Sequence, residues 1–274
     1  MKELHLSTKH EVLYFWGKIF GEEFDYFIAF GINFSNNYGF PKKIYYYTST
    51  QDYKFEPLPD TYIYHEQDFK KTYWKPLKGK PNEIIKKYKE EIPEGQEQPQ
   101  EEKPPEEQPK PQDPDASVDD NAPKKEPPKE NFTEALKLSY LVRQIDTDTC
   151  IIPKGSLRLN ENHEYLINQS FKGLKQDELL NFNNYLHFRK IINENVKNHV
   201  ETAKAIFDFD ILDDISTDSV KGCWSLQLDP SKKIVNIRNL LWPGFYSVHQ
   251  SDSNIYGCVY FGDGKKNADL PFMI

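Results

Sequence analysis

Residues 91–130 divide the chain and limit what the rest of it can become. They hold 10 of its 19 prolines and no aromatic residue, and their thirteen acidic side chains face only five lysines. Such a stretch cannot bury enough apolar surface to offset the entropy of ordering it. Residues 91–131 are therefore expected to form a disordered, acidic, proline-rich linker. Pro104-Pro105 and Pro127-Pro128 could serve as polyproline ligands, and the flanking acids suit a spacer equally well. The stretch has a net charge of −8, equal to that of the whole chain. What remains is close to neutral and carries no strong basic field for nucleic acid or anionic lipid.

Two pieces are left to fold: a β-rich segment, 1–90, and an α+β segment, 132–274, expected to pack as one globular unit. In the first, 12–16 (VLYFW) is apolar on both faces, as in a strand covered on both sides. A turn at Gly21-Glu22-Glu23 returns the chain through 24–30 (FDYFIAF), predicting an antiparallel hairpin. Strands are also expected at 43–48 (KIYYYT) and near 53–56, and a short helix over 81–91. In the second, 132–145 reads as a helix running into a strand. Leu179, Phe182 and Leu186 recur at helical spacing, so 177–189 is expected to be a helix, and 196–207 another. From 224 onward the chain alternates apolar and polar residues between turn signals, which predicts an antiparallel meander. The fold class is α+β, with β-dominated antiparallel sheets and a few short helices, interrupted by the long linker.

The chemistry-bearing patterns in the chain mostly fail on spacing. Gly262-Asp263-Gly264-Lys265-Lys266 lacks the spacing of a phosphate loop and reads as a glycine-rich turn. Asp208, Asp210, Asp213, Asp214 and Asp218 suggest calcium, yet an EF-hand begun at Asp208 needs Gly where Asp213 stands and Glu where Ser219 stands. The cluster reads better as a solvated loop. The seven histidines have no HxxxH or HExxH spacing, and Cys150, Cys223 and Cys258 form no CxxC pair. They are expected to be reduced, partly buried thiols. The first residues, MKELHLSTKHE, lack the apolar core of a signal peptide, and no eighteen-residue apolar run exists. No catalytic residue, cofactor or metal is assigned from these residues.

Blocks spread along the chain carry one more reading: FWGKIFG at 15–21 followed by Asp25-Tyr26, PKG at 153–155, NQSFKGL at 168–174 and YLHFR at 185–189. KGCWSLQ at 221–227, IRNLLWPG at 237–244 and YGCVYFGDGKKN at 256–267 follow, and the sequence closes in DLPFMI at 269–274. In this order they resemble the radial spoke head protein 9 family, which is related to the radial spoke head 4/6 proteins. The resemblance implies a non-enzymatic subunit of the axonemal radial spoke head in a motile cilium or flagellum. Such a subunit docks on 4/6-type proteins and other spoke-head subunits. It helps transmit central-pair signals that regulate dynein-driven motility, with no nucleic acid, membrane or small-molecule substrate. An exposed aromatic patch around Trp242, Phe245, Pro271 and Phe272 is expected to help dock the partner, since rigid apolar residues there flank turns. The competing reading of these four residues is ordinary core.

Overall fold

The computed structural model describes residues 1–34, 39–88, 130–202, 211–231 and 233–273. The expected linker lies outside the described residues apart from Glu130 and Asn131.

A short helix, α1 (Lys2–Ser7), precedes β1 (Val12–Ile19) and β2 (Tyr26–Ile32), the expected hairpin, and β3 (Lys43–Ser49) pairs beside it. The fourth strand is only β4 (Glu56–Pro57), where proline leaves the sheet edge without a donor. Helix α2 (Glu66–Thr72) follows, and then β5 (Ile84–Lys86) occupies the place where a helix was expected over 81–91. It pairs with β6 (Phe132–Thr133) on the far side of residues 89–129. That long-range pairing overrides the local helical preference of the charged 81–91 stretch, of which 89–91 lie outside the described residues. The Tyr88 amide also donates to the Asn131 side-chain oxygen, 3.0 Å.

The ambiguous stretch from 132 resolves as two residues of strand and then α3 (Glu134–Thr149), the longest described helix. The Thr133 hydroxyl caps it by accepting the Leu136 amide. Leu138, Leu141, Val142 and Ile145 are buried along it, and the β-branched run at Ile151-Ile152 ends it in β7 (Ile151–Pro153). Two short strands, β8 (Leu157–Leu159) and β9 (Tyr165–Ile167), form a hairpin.

The helix expected over 177–189 does not form. Leu179 and Leu186 are buried as their spacing requires, whereas Phe182 is exposed. Asn181 accepts the Asn183 amide (3.0 Å) and Asn184 donates to the Glu178 carbonyl (2.9 Å), so the asparagines build a turn. The chain then enters β10 (Tyr185–His187), paired with β7. Helix α4 (Glu194–Thr202) lies at the next expected helix, whose positions 203–207 fall outside the described residues. The meander is as expected: β11 (Trp224–Leu228), β12 (Ile234–Asn239), β13 (Phe245–Gln250) and β14 (Tyr256–Gly262).

The decisive contact is one the local patterns do not reveal. β1 pairs with β14 in parallel, Gly17 opposite Tyr260, which joins hairpin and meander into one eight-stranded sheet ordered β11-β12-β13-β14-β1-β2-β3-β4. A bulge at Trp16 makes the seam. Phe15 faces Ala29 and Gly17 faces Ile28, so Trp16 is the extra residue, and its ring turns into the core. Gly17 has φ 151°, and a Cβ there would lie 2.1 Å from the Tyr260 carbonyl oxygen. Only glycine lets the two backbones approach this closely.

Helix α3 covers the inner face of this sheet and is fastened at both ends. At its start the buried Glu134 carboxylate accepts the Tyr26 hydroxyl (2.6 Å) and the amides of Lys78, Gly79 and Lys80 (3.0, 2.7 and 2.9 Å). At its end Asp146 accepts the Trp16 indole (3.0 Å) and forms a buried ion pair with Lys43. Burial works to lower the Lys43 ammonium, and the charge and hydrogen bond of Asp146 together with the nearby Cys150 and Cys258 more than offset it, leaving the group above its ordinary value. Asp148, one turn-half further on, accepts the Trp242 indole at 2.8 Å.

Lys137, buried on the same helix, donates to the Lys75 carbonyl at 2.6 Å. Desolvation pulls it down from 10.5 to about 8, against the attraction of Glu134. Between pH 8 and 10.5 the unfolded chain therefore holds this proton more often than the folded one. Stability from this group is depressed below that window and rises as pH increases through it. Urea unfolding at pH 8 and pH 10 should show Lys137→Met lacking an upward contribution of up to about 1 kcal/mol per pH unit that the native chain has. Equal slopes in the two proteins would refute the burial argument.

Candidate interaction surface

In each strand of the large sheet alternate residues face the core, filled by α3 beneath the hairpin and by segments such as β7, β10 and residues 171–174 beneath the meander, and the others face outward. The inward set is buried: Ile19, Tyr26, Ile28 and Ile32 on the hairpin, and Val235, Ile237, Phe245 and Tyr260 on the meander. The outward set can be read from register. Tyr246 lies opposite Arg238 and Val259, Val248 opposite Asn236, Phe261 beside Lys18, and Phe27 opposite Lys18 and Thr48.

These outward side chains form a continuous aromatic patch across the seam. Phe15 lies 6.5 Å from Phe27 and 6.2 Å from Phe261, ring centre to ring centre. Phe15, Phe261 and Tyr246 remain 39%, 42% and 44% exposed, and Val248 and Ile44 are exposed beside them. Cations frame the rings. Lys18 sits 5.3 Å from the Phe27 ring while paired to Asp25 at 2.7 Å, and Arg238 sits 5.4 Å from the Tyr246 ring. Beyond Arg238 the face turns polar at Asn236, Ser225 and Gln227. Strand β1 is thus apolar on both faces, as its sequence suggests; on the outward side the His10 ring lies over Gly31 and bonds the Tyr46 hydroxyl at 2.7 Å, while Phe15 and Phe261 stay substantially exposed. Isolated apolar residues on a surface are ordinary; a contiguous aromatic patch with a polar margin marks a contact surface.

The four residues singled out from sequence do not form one patch. Trp242 is fully buried beneath α3, held through Asp148, and Phe245 packs against Trp224 inside the sheet, 5.9 Å between ring centres. These two are core, as the competing reading had it, because Pro243-Gly244 turns the chain so that both rings fall on the α3 side. Pro271 and Phe272 sit on a single exposed turn near the C-terminal end, with Phe272 89% exposed. Phe15, Phe27, Tyr246 and Phe261 went unselected because their outward orientation depends on the bulge and on the parallel seam.

A broad open groove of about 610 Å³ lies between α2 and α3, lined by Tyr62, Phe69, Tyr73, Tyr140, Arg143 and Lys266. Its cations are already engaged: Arg143 with Asp60 at 3.4 Å and Lys266 with Asp148 at 3.1 Å. The acidic run considered for calcium is likewise occupied within the fold where it is described. Asp213 accepts Arg189 (2.7 Å) and the Ile192 amide (2.8 Å), and Asp214 caps the turn at Ser216 (2.9 Å). Asp218 accepts His187 (2.9 Å) and the Trp224 indole (2.7 Å). Burial works to raise the Asp218 carboxyl, and these hydrogen bonds with the nearby charges hold it below the usual carboxylate range. Asp208 and Asp210 lie outside the described residues. No group of three or more metal-ligating side chains occurs among the described residues.

No helix among the described residues is long and apolar enough to cross a membrane. No family model matches the sequence. Curated proteins do: radial spoke head protein 9 homolog of Danio rerio is 40% identical over 141 residues, 52% of this chain and 51% of that protein. The proteins of the same name from Homo sapiens and Xenopus tropicalis are 36% and 33% identical over similar shares, 52% and 53% of this chain and 51% and 52% of theirs. The match spans about half the length of these relatives. Over about half its length, the chain is thus a relative of proteins named radial spoke head protein 9 homolog.

Proposed function

We propose that this chain is a non-enzymatic structural subunit of the radial spoke head in the axoneme of a motile cilium or flagellum. It docks there on a radial spoke head 4/6-type protein and belongs to a larger assembly of spoke-head subunits. Through that contact it helps pass central-pair signals to the dynein motors. The observation that carries the reading is the outward face of the eight-stranded sheet, where Phe15, Phe27, Tyr246 and Phe261 form an aromatic surface of which Phe15, Tyr246 and Phe261 are substantially exposed. Large flat aromatic contacts of this kind supply much of the energy of protein–protein interfaces. Pro271 and Phe272 are proposed to contact the same assembly at its margin; Trp242 and Phe245 contribute by holding the sheet in shape. The groove between α2 and α3 supports catalysis poorly, since its charged groups pair with one another.

The test is a double variant, Tyr246→Ser with Phe261→Ser, used as tagged bait beside the native chain in ciliary extract. Its thermal unfolding should stay close to native, because both side chains are substantially exposed. Recovery of 4/6-type proteins should fall at least tenfold, corresponding to about 1.4 kcal/mol or more of interface energy. A folded variant that recovers them as well as the native chain would remove this face from the proposal. A native bait that recovers no spoke-head protein would remove the proposal itself.

A further inference from the structure

Cys150 and Cys258 are 108 residues apart in sequence, yet their sulfurs sit 3.7 Å apart, in van der Waals contact. Cys150 occupies the C-cap of α3, and Cys258 lies on the inward face of β14 opposite Ser247. Cys150 is buried and Cys258 is half-buried as a residue, with its sulfur on the inward face beside Cys150, so a small peroxide reaches the pair through local opening of the fold. A small void of about 10 Å³, bordered by both cysteines, Trp16, Phe30, Phe245 and Tyr260, leaves room for the sulfurs to turn toward each other. Nothing in this arrangement depends on the spoke-head reading.

We propose that Cys150 and Cys258 form an oxidation site that a peroxide closes to an intramolecular disulfide. The Cys258 thiolate attacks one peroxide oxygen, the O–O bond breaks, and the released oxygen leaves as water or an alcohol. This forms a sulfenic acid on Cys258. Cys150 then gives up its proton, its sulfur attacks the Cys258 sulfur, and the sulfenic hydroxyl leaves as water. Two thiols are oxidised by two electrons and one peroxide is reduced by two.

The neighbourhood suits this order of events. The sulfur–sulfur contact, in which either thiol can donate, holds the Cys258 thiol below its ordinary value against burial and the Asp146 charge, with the Lys43 ammonium acting to lower it. The same contact pushes the Cys150 thiol up, with burial adding to the effect. Cys223 provides the internal control. It is buried, and desolvation pushes its thiol up to about 11. It should remain reduced.

The experiment exposes the full-length protein to graded hydrogen peroxide, blocks remaining thiols by alkylation after unfolding, and maps non-reduced peptides by mass spectrometry. The expected result is loss of two hydrogen masses, a linked peptide pair containing Cys150 and Cys258, full alkylation of Cys223, and reversal by dithiothreitol. In Cys150→Ser the linked pair should be absent and Cys258 should advance to the sulfinic acid. Should that variant misfold, the native peptide map still decides. Three alkylated thiols at peroxide levels that fully oxidise free glutathione would overturn the proposal. So would a native protein carrying sulfinic acid on Cys258 with Cys150 unlinked.

Discussion

Gly17→Ala is expected to open the eight-stranded sheet at its middle and to lower the unfolding free energy by about 3 kcal/mol or more. The new methyl carbon would meet the Tyr260 carbonyl oxygen at 2.1 Å, and backbone on both sides leaves no flexible side chain to yield. Relief requires β1 to move away from β14, which breaks the ladder that joins hairpin and meander among the described residues. Moving β1 also displaces Trp16 from its hydrogen bond to Asp146. Domains of this size are stable by roughly 5–15 kcal/mol, so the loss is a large fraction of the whole. Urea denaturation, followed by tryptophan fluorescence, reads it directly. A midpoint within error of native would mean that the parallel seam contributes little.

The second large effect is expected at the opposite end of α3. Glu134→Ala removes the acceptor of the Tyr26 hydroxyl and of three successive amides, at Lys78, Gly79 and Lys80. Each donor left buried without a partner costs about 1–3 kcal/mol, and some will find water once the loop relaxes. A net loss of about 3–5 kcal/mol is the expected outcome of breaking such a charged, buried cluster. Two controls separate the parts. Tyr26→Phe deletes one donor together with its bond and should cost about 1 kcal/mol. Glu134→Gln keeps an acceptor oxygen and should fall between. If alanine and glutamine prove equally harmless in thermal unfolding, the loop at 78–80 is not held by this carboxylate.

These two sites show which parts of the molecule local sequence can disclose. The meander was legible because Trp224, Leu226 and Leu228 alternate with Ser225 and Gln227, and a sheet covered on one side imposes that alternation on every strand. The hairpin was legible from a different pattern, two apolar aromatic stretches at 12–16 and 24–30 joined by the Gly21-Glu22-Glu23 turn. Residues 177–189 misled because Leu179, Phe182 and Leu186 match a helical repeat, while the asparagines at 181, 183 and 184 prefer to bond their own backbone. Residues 81–91 misled because the partner of β5 enters more than forty residues later. The seam at Gly17 and Tyr260 has no local signature, since parallel pairing between distant segments leaves none.

The interaction surface follows from that seam. Phe15 and Phe27 are brought beside Phe261 only when β1 and β14 meet, so no window of sequence contains the patch. One sign of it was present. The stretch at 12–16 is apolar on both faces, a pattern expected of a strand with a layer on each side. One of those layers is α3; the proposed reading supplies the other from a neighbouring subunit.

The pairing of β5 with β6 has a consequence for how much sequence the chain can tolerate between them. Ile84 and Thr133 are cross-strand neighbours and the Tyr88 amide bonds the Asn131 side chain, so the two ends of the 89–129 interval are held about one strand-spacing apart. For a flexible insert, doubling its length adds only about 0.6 kcal/mol of closure cost. Natural variation in length, or a fluorescent reporter placed there to follow the protein in a living cell, can be accommodated at this position with little cost to the sheet.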